Sequence, residues 1–109
     1  MPAPHPLTHL RQAASRASTL MRVLANDDRL LLLCMLLEGE LCVSELEART
    51  GIVQPTLSQQ LGVLRNEALV ETRREGKRIY YRLTSDDAVS VLQLLNTLYC
   101  PPDAGQGAQ

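Results

Sequence analysis

Apolar residues recur at helical spacing along most of the chain, with one interruption of alternating character. Leu10, Ala13, Ala14, Ala17, Leu20, Met21 and Leu24 share a face, while Arg11, Arg16 and Arg22 lie elsewhere on the wheel. This predicts an amphipathic helix from about Thr8 to Ala25. Asn26, Asp27 and Asp28 offer N-caps for a second helix, RLLLLCMLLEG, which is apolar nearly all round and stops near Gly39. Such a helix belongs at the centre of a core. Ser44 and Glu47 have capping-box spacing for a short third helix, closed by Gly51. Pro55 opens a fourth, PTLSQQLGVLRNEA, with Leu57, Leu61 and Leu64 as its inward stripe. LVETRR and RIYYRL flank Glu75-Gly76-Lys77 and predict a β-hairpin with a charged tip. Thr84 or Ser85 caps a last helix bearing Val89, Leu92, Leu95, Leu98 and Tyr99, which ends at Cys100 before Pro101 and Pro102.

The predicted order is α-α-α-α-β-β-α, a mainly α fold with a β-hairpin wing. Residues 1–7, with three prolines, and 101–109, PPDAGQGAQ, are expected to be disordered tails on a single 8–100 domain. Two short helices joined by a tight glycine turn, the second beginning with small polar residues, form a helix-turn-helix pattern. The second helix of such a pair enters the major groove of DNA with its first turns. On the wheel set by the leucine stripe, Ser58, Gln59 and Gly62 point outward and Thr56 lies to one side. Gln59 is the expected base reader, because an amide pairs bidentately with adenine. Gln54, Thr56 and Ser58 suit phosphate or base-edge contacts, and Arg73, Arg74, Lys77 and Arg78 suit the phosphate backbone or the adjacent minor groove.

Charge sharpens this picture. The 109-residue chain carries 11 basic and 12 acidic side chains, a formal net charge of −1. From Arg65 to Arg82, however, six cations stand against three anions, a local +3 that marks a docking edge. Without Trp or Phe the core must be aliphatic. A domain this small covers its apolar surface incompletely, so self-association is expected. The first and last helices are the expected two-fold interface, with Leu92 and Leu95 inside it, placing two recognition helices on an inverted-repeat operator. No apolar run has the length of a membrane span and no secretory leader is visible, so a cytoplasmic protein without membrane association is expected.

The remaining chemistry lies in three cysteines, Cys34, Cys42 and Cys100. In a reducing compartment they are better read as buried thiols, metal ligands or redox-active groups than as a disulfide framework. No His follows His9 and no paired carboxylates accompany a thiol, so neither an enzyme nor a resident cofactor is expected. His5 and His9 read as solvated side chains. An interaction module without DNA binding is the bland alternative, though it gives the wing little reason to be basic.

Over residues 8–100 the chain resembles the ArsR/SmtB family of small winged-helix repressors. LMRVLANDDRLLLLCML is similar to that family's second-helix signature, and GIVQPTLSQQLGVLRNEALVETRREGKRIYYRL to its recognition helix and wing. Val53 departs from the serine usual before the recognition helix. Arsenite and lead or cadmium sensors of the family carry an ELCVCDL box; here Glu40-Leu41-Cys42-Val43-Ser44-Glu45-Leu46 keeps only its first thiol. The Asp and His pairs of the zinc and nickel sensors are missing. Cys34 in LLLLCML and Cys100 in LYCP instead resemble the cysteine pair of the persulfide-sensing branch, of BigR and SqrR type. That resemblance implies a homodimeric repressor that leaves its operator when reactive sulfur species join Cys34 and Cys100 through a disulfide or polysulfide, with no metal site. The alternative is an arsenite or soft-divalent-ion sensor using Cys42 with Cys34 or Cys100.

Overall fold

Helix α1 spans Pro6–Leu24 in the computed structural model, which describes residues 6–100. Of the expected tails, residues 1–5 and 101–109 lie outside the described residues. Pro6 and Leu7, assigned to the tail on proline content, instead form the first turn of α1. A proline is tolerated there because its missing N–H would have had no intrahelical acceptor. Helix α2 follows at Asp27–Leu36, with the Asn26 side chain accepting the Arg29 N–H at 3.0 Å. The chain then forms β1 (Leu41–Cys42), α3 (Val43–Thr50), α4 (Thr56–Asn66), β2 (Val70–Glu75), β3 (Arg78–Leu83) and α5 (Asp86–Tyr99). This is a winged helix-turn-helix, as the pattern predicts.

Strand β1 was not foreseeable from alternation, being two residues long. It exists because β3 supplies its partner: Leu41 pairs with Tyr81 and Cys42 with Tyr80, giving an antiparallel sheet of order β1-β3-β2. Holding Leu41 and Cys42 extended also moves the start of α3. The cap is Cys42 rather than Ser44, and the reciprocal carboxylate is Glu45 rather than Glu47, its Oε1 accepting the Cys42 N–H at 2.9 Å. Gly51 closes α3 with φ of 76°, a left-handed conformation that favours glycine. The hairpin register runs from Val70 opposite Leu83 to Glu75 opposite Arg78, and Gly76 turns at φ of 63°.

The core is aliphatic. Leu32 and Leu33 of α2, Leu46 of α3, Leu57, Leu61 and Leu64 of α4, and Leu92 of α5 are fully buried. Leu92 is therefore corrected from interface to core: α5 turns Ala88 and Leu92 into its own protomer and leaves Leu94, Leu98 and Tyr99 exposed, with Leu95 half-buried. On α1 only Val23 and Leu24 are buried, whereas Leu10 and Met21 are exposed. Both terminal helices thus present apolar side chains that this protomer does not cover.

Candidate functional site

The buried leucine row of α4 fixes which of its residues face outward. Ser58 and Gln59 are exposed, Thr56 is half-buried, and Gln54 stands exposed just ahead of the helix. Gln54 Oε1 accepts the Ser58 N–H at 3.0 Å. The amide thereby satisfies one of the free N–H groups of the first turn and supplies the polar cap that Val53 cannot. At Gly62 an added Cβ would meet nothing within 4 Å, so a ligand could approach the backbone from that side.

Four cations were expected on the wing, and the structure divides them. Arg73 turns its guanidinium to Glu40, with Nε at 2.8 Å from Oε2 and Nη2 at 2.7 Å from Oε1, while Nη1 donates to Glu75 Oε1 at 2.6 Å. The same group stacks 4.6 Å from the centroid of the Tyr80 ring. The Arg73 hydrogen bond holds the Glu40 carboxyl below its usual range. Arg73 thus braces the wing against the segment leading into β1. Arg74, Lys77 and Arg78 are exposed and join no ion pair among the described residues.

The cysteines occupy three environments: Cys42 buried, Cys34 half-buried and Cys100 exposed. The Cys34 Sγ lies 3.9 Å from Asn96 Oδ1 of α5. Cys100 follows one turn later, its N–H closing the last helical bond of α5 on the Asn96 carbonyl at 2.9 Å. Burial pushes the Cys34 thiol up, and the nearby negative charge of Cys100 pushes it further. Cys42 sits apart, in β1, with its sulfur 3.2 Å from Ser44 Oγ. Among the described residues no group of three or more His, Cys, Asp or Glu is gathered for a metal ion. His9 is exposed on α1, and His5 lies outside the described residues. No helix of the described chain is long and apolar enough to cross a membrane.

A residue that pattern reading missed connects these regions. Arg29, half-buried in the first turn of α2, donates Nε to the Val23 carbonyl at 2.6 Å, Nη2 to the Arg22 carbonyl at 3.3 Å and Nη1 to Gln60 Oε1 at 2.8 Å. One guanidinium reaches α1 and α4 together. The available signal was its isolation as the single basic side chain of an otherwise acidic and apolar helix, since a charge removed from water requires partners.

Residues 26–72 match the model of the bacterial regulatory protein, arsR family. The biofilm growth-associated repressor of Agrobacterium fabrum is 47% identical over 98 residues, covering 90% of this chain and 84% of the relative. Among solved structures, the transcriptional repressor BigR from Xylella fastidiosa aligns with a TM-score of 0.81 and 46% identity over 88% of this chain and 98% of the other. A homodimeric winged helix-turn-helix DNA-binding domain from Mycobacterium bovis, described as a possible ArsR-family transcriptional regulator, aligns with a TM-score of 0.71 and 31% identity, covering 90% and 89%.

Proposed function

The chain belongs to the arsR family of bacterial regulatory proteins, and from that premise we propose that it is a homodimeric, DNA-binding transcriptional repressor whose operator affinity is set by the sulfur chemistry of Cys34 and Cys100. The observation that carries the reading is that the Cys34 thiol lies against Asn96, one turn before Cys100 on α5, near enough for a charge on Cys100 to act on it; the same helix exposes Leu94, Leu98 and Tyr99. A second copy would cover those side chains together with Leu10 and Met21 of α1, pairing two α4 helices on the half-sites of an inverted repeat. Gln59 reads a base edge, and Gln54, Thr56 and Ser58 lie beside it for phosphate or base-edge contacts. Arg74, Lys77 and Arg78 follow the phosphates; Arg73 joins them only by leaving Glu40. The repressor names of the relatives support the direction of regulation.

The exposed Cys100 reacts first. Its thiolate attacks the central sulfur of an organic trisulfide, forming one S–S bond and expelling a thiolate, and the chain then carries a mixed trisulfide. That step removes the negative charge that helped to raise Cys34, so the second thiol ionises more readily than before. Cys34 gives up its proton and attacks the inserted sulfur, expelling the second donor thiolate. In sum, two thiols and one trisulfide give a Cys34–S–S–S–Cys100 bridge and two free thiols, the donor being reduced as the cysteines are oxidised. The bridge ties α2 to the end of α5 and stabilises a conformation whose recognition-helix spacing fits DNA poorly. A coupling of about 1 to 3 kcal/mol is sufficient, changing affinity roughly 5- to 150-fold.

Cys34→Ser and Cys100→Ser are expected to bind operator normally when reduced and to retain it after treatment with an organic trisulfide, as followed by fluorescence anisotropy. Cys42→Ser is expected to respond like the native chain, and intact mass should show one added sulfur with two hydrogens lost. Release by the Cys34→Ser, Cys100→Ser double variant at the same dose would overturn the two-thiol switch and direct attention to Cys42 and soft metals.

A further inference from the structure

We propose that Arg29 is the positioning residue that sets the rotation of the recognition helix about its own axis, through Gln60, by tying α4 to the C-terminal end of α1. The inference rests on the DNA-binding reading above and adds to it a residue that touches no DNA.

The leucine row Leu57, Leu61 and Leu64 decides which side of α4 faces inward, but apolar packing is non-directional and does not by itself select one rotational setting. A hydrogen bond does, since it weakens steeply with angle and distance. Side-chain tips stand about 5 to 6 Å from a helix axis, so a rotation of roughly 20° displaces Gln59 by about 2 Å, enough to break a bidentate base contact. Gln60 is the neighbour of Gln59 and is half-buried, and its Oε1 takes the Arg29 Nη1 at 2.8 Å.

The other end of the link is equally defined. Arg22, Val23 and Leu24 are the last residues of α1, where carbonyls lack the usual i+4 donors. Arg29 satisfies the Val23 carbonyl at 2.6 Å and shares the Arg22 carbonyl with the Ala25 N–H, both at 3.3 Å, and a cation at a helix C-terminus is favoured by the aligned peptide dipoles. The planar fork of arginine serves three acceptors on two other helices at fixed angles, which the compact charge of lysine cannot reproduce. Because α1 bears the exposed Leu10 and Met21, the rotational setting of α4 is referenced to a helix of the proposed subunit contact.

The test uses the full chain and a duplex enriched by it from a random-sequence pool, comparing affinity for that duplex with affinity for an unrelated one. Gln60→Met and Arg29→Lys are each expected to lower the ratio of specific to nonspecific affinity about tenfold, the scale of one lost base contact. The double variant should be no worse than the poorer single, while Gln60→Glu, which retains an acceptor for Arg29, should restore most of the ratio. Without DNA, amide hydrogen exchange across residues 56–66 should quicken in Gln60→Met, with the global unfolding midpoint little changed. A ratio within twofold of the native value in both single variants, or equal losses on both duplexes, overturns the proposal. If no duplex is enriched, the operator-binding reading fails separately, and unchanged exchange across α4 in Gln60→Met then overturns the positioning role as well.

Discussion

Replacing Leu98 by Ala should loosen the proposed homodimer far more than it disturbs the protomer. Leu98 is 62% exposed on α5, so most of its side chain has no partner within its own chain to lose. Full burial of a leucine is worth about 1.5 to 3 kcal/mol. Covering the exposed fraction is therefore worth about 1 to 2 kcal/mol per copy, and two-fold symmetry doubles it to about 2 to 4 kcal/mol per dimer. At about 1.4 kcal/mol per decade, Leu98→Ala should raise the dimer dissociation constant roughly 30- to 700-fold. Sedimentation velocity across a concentration series measures this directly, with exposed Gln93→Ala, turned away from Leu94 and Leu98 on the same helix, as a control that should leave association unchanged. A dissociation constant within threefold of native for Leu98→Ala, or a native chain that stays monomeric at every concentration, would refute the assignment of this face to the subunit contact.

Gln59→Ala should cost about 1 to 3 kcal/mol of operator affinity and relax preference at one base position, as read by competition with base-substituted duplexes; unchanged preference would remove Gln59 as a reader. Lys77→Ala and Arg78→Ala should instead weaken all duplexes alike and flatten the salt dependence. Glu40→Gln should lower stability at neutral pH but not in acid. The Glu40 carboxyl is held below its usual range by Arg73, so its contribution is present above the ordinary carboxylate range and is lost as pH falls through the folded-state value. Denaturation midpoints of variant and native chain should therefore converge on acidification, and a constant or widening gap would contradict the brace.

What the pattern of residues made legible was whatever has a local signal. The unbroken leucines of α2, the stripe at Leu57, Leu61 and Leu64, and the strand pair around Gly76 each declare themselves within about a dozen residues, and each is present. Strand β1 is different in kind: Leu41 and Cys42 become a strand because Tyr80 and Tyr81 arrive beside them from the far side of the wing. The displaced cap of α3 follows from the same long-range pairing. Leu92 was misplaced because α5 is apolar on two faces, and periodicity cannot rank a face turned to the core against one turned to a second subunit. Gln54 and Arg73 were legible as polar residues of the helix-turn-helix and the wing, whereas their partners, Ser58 and Glu40, depend on tertiary geometry. Arg29 shows the same limit, since spacing gives the direction of a side chain but not what lies at its end.

The graded depths of the three thiols also make the chain its own clock. Cys100 stands in solvent, Cys34 is half covered, and Cys42, in β1 and paired with Tyr80 of β3, is buried. A small alkylating reagent will label Cys100 first, and will meet Cys34 later both because it is half covered and because its thiol is pushed up. Cys42 is only 1% exposed, so its labelling must await an opening of the structure around β1. With Cys34 and Cys100 already blocked or bridged, the residual labelling rate at Cys42 reports the free energy of that opening when reclosure outpaces alkylation. The wing thus carries a native stopwatch that needs no introduced probe, and whether DNA slows it measures how firmly the wing is held in the complex.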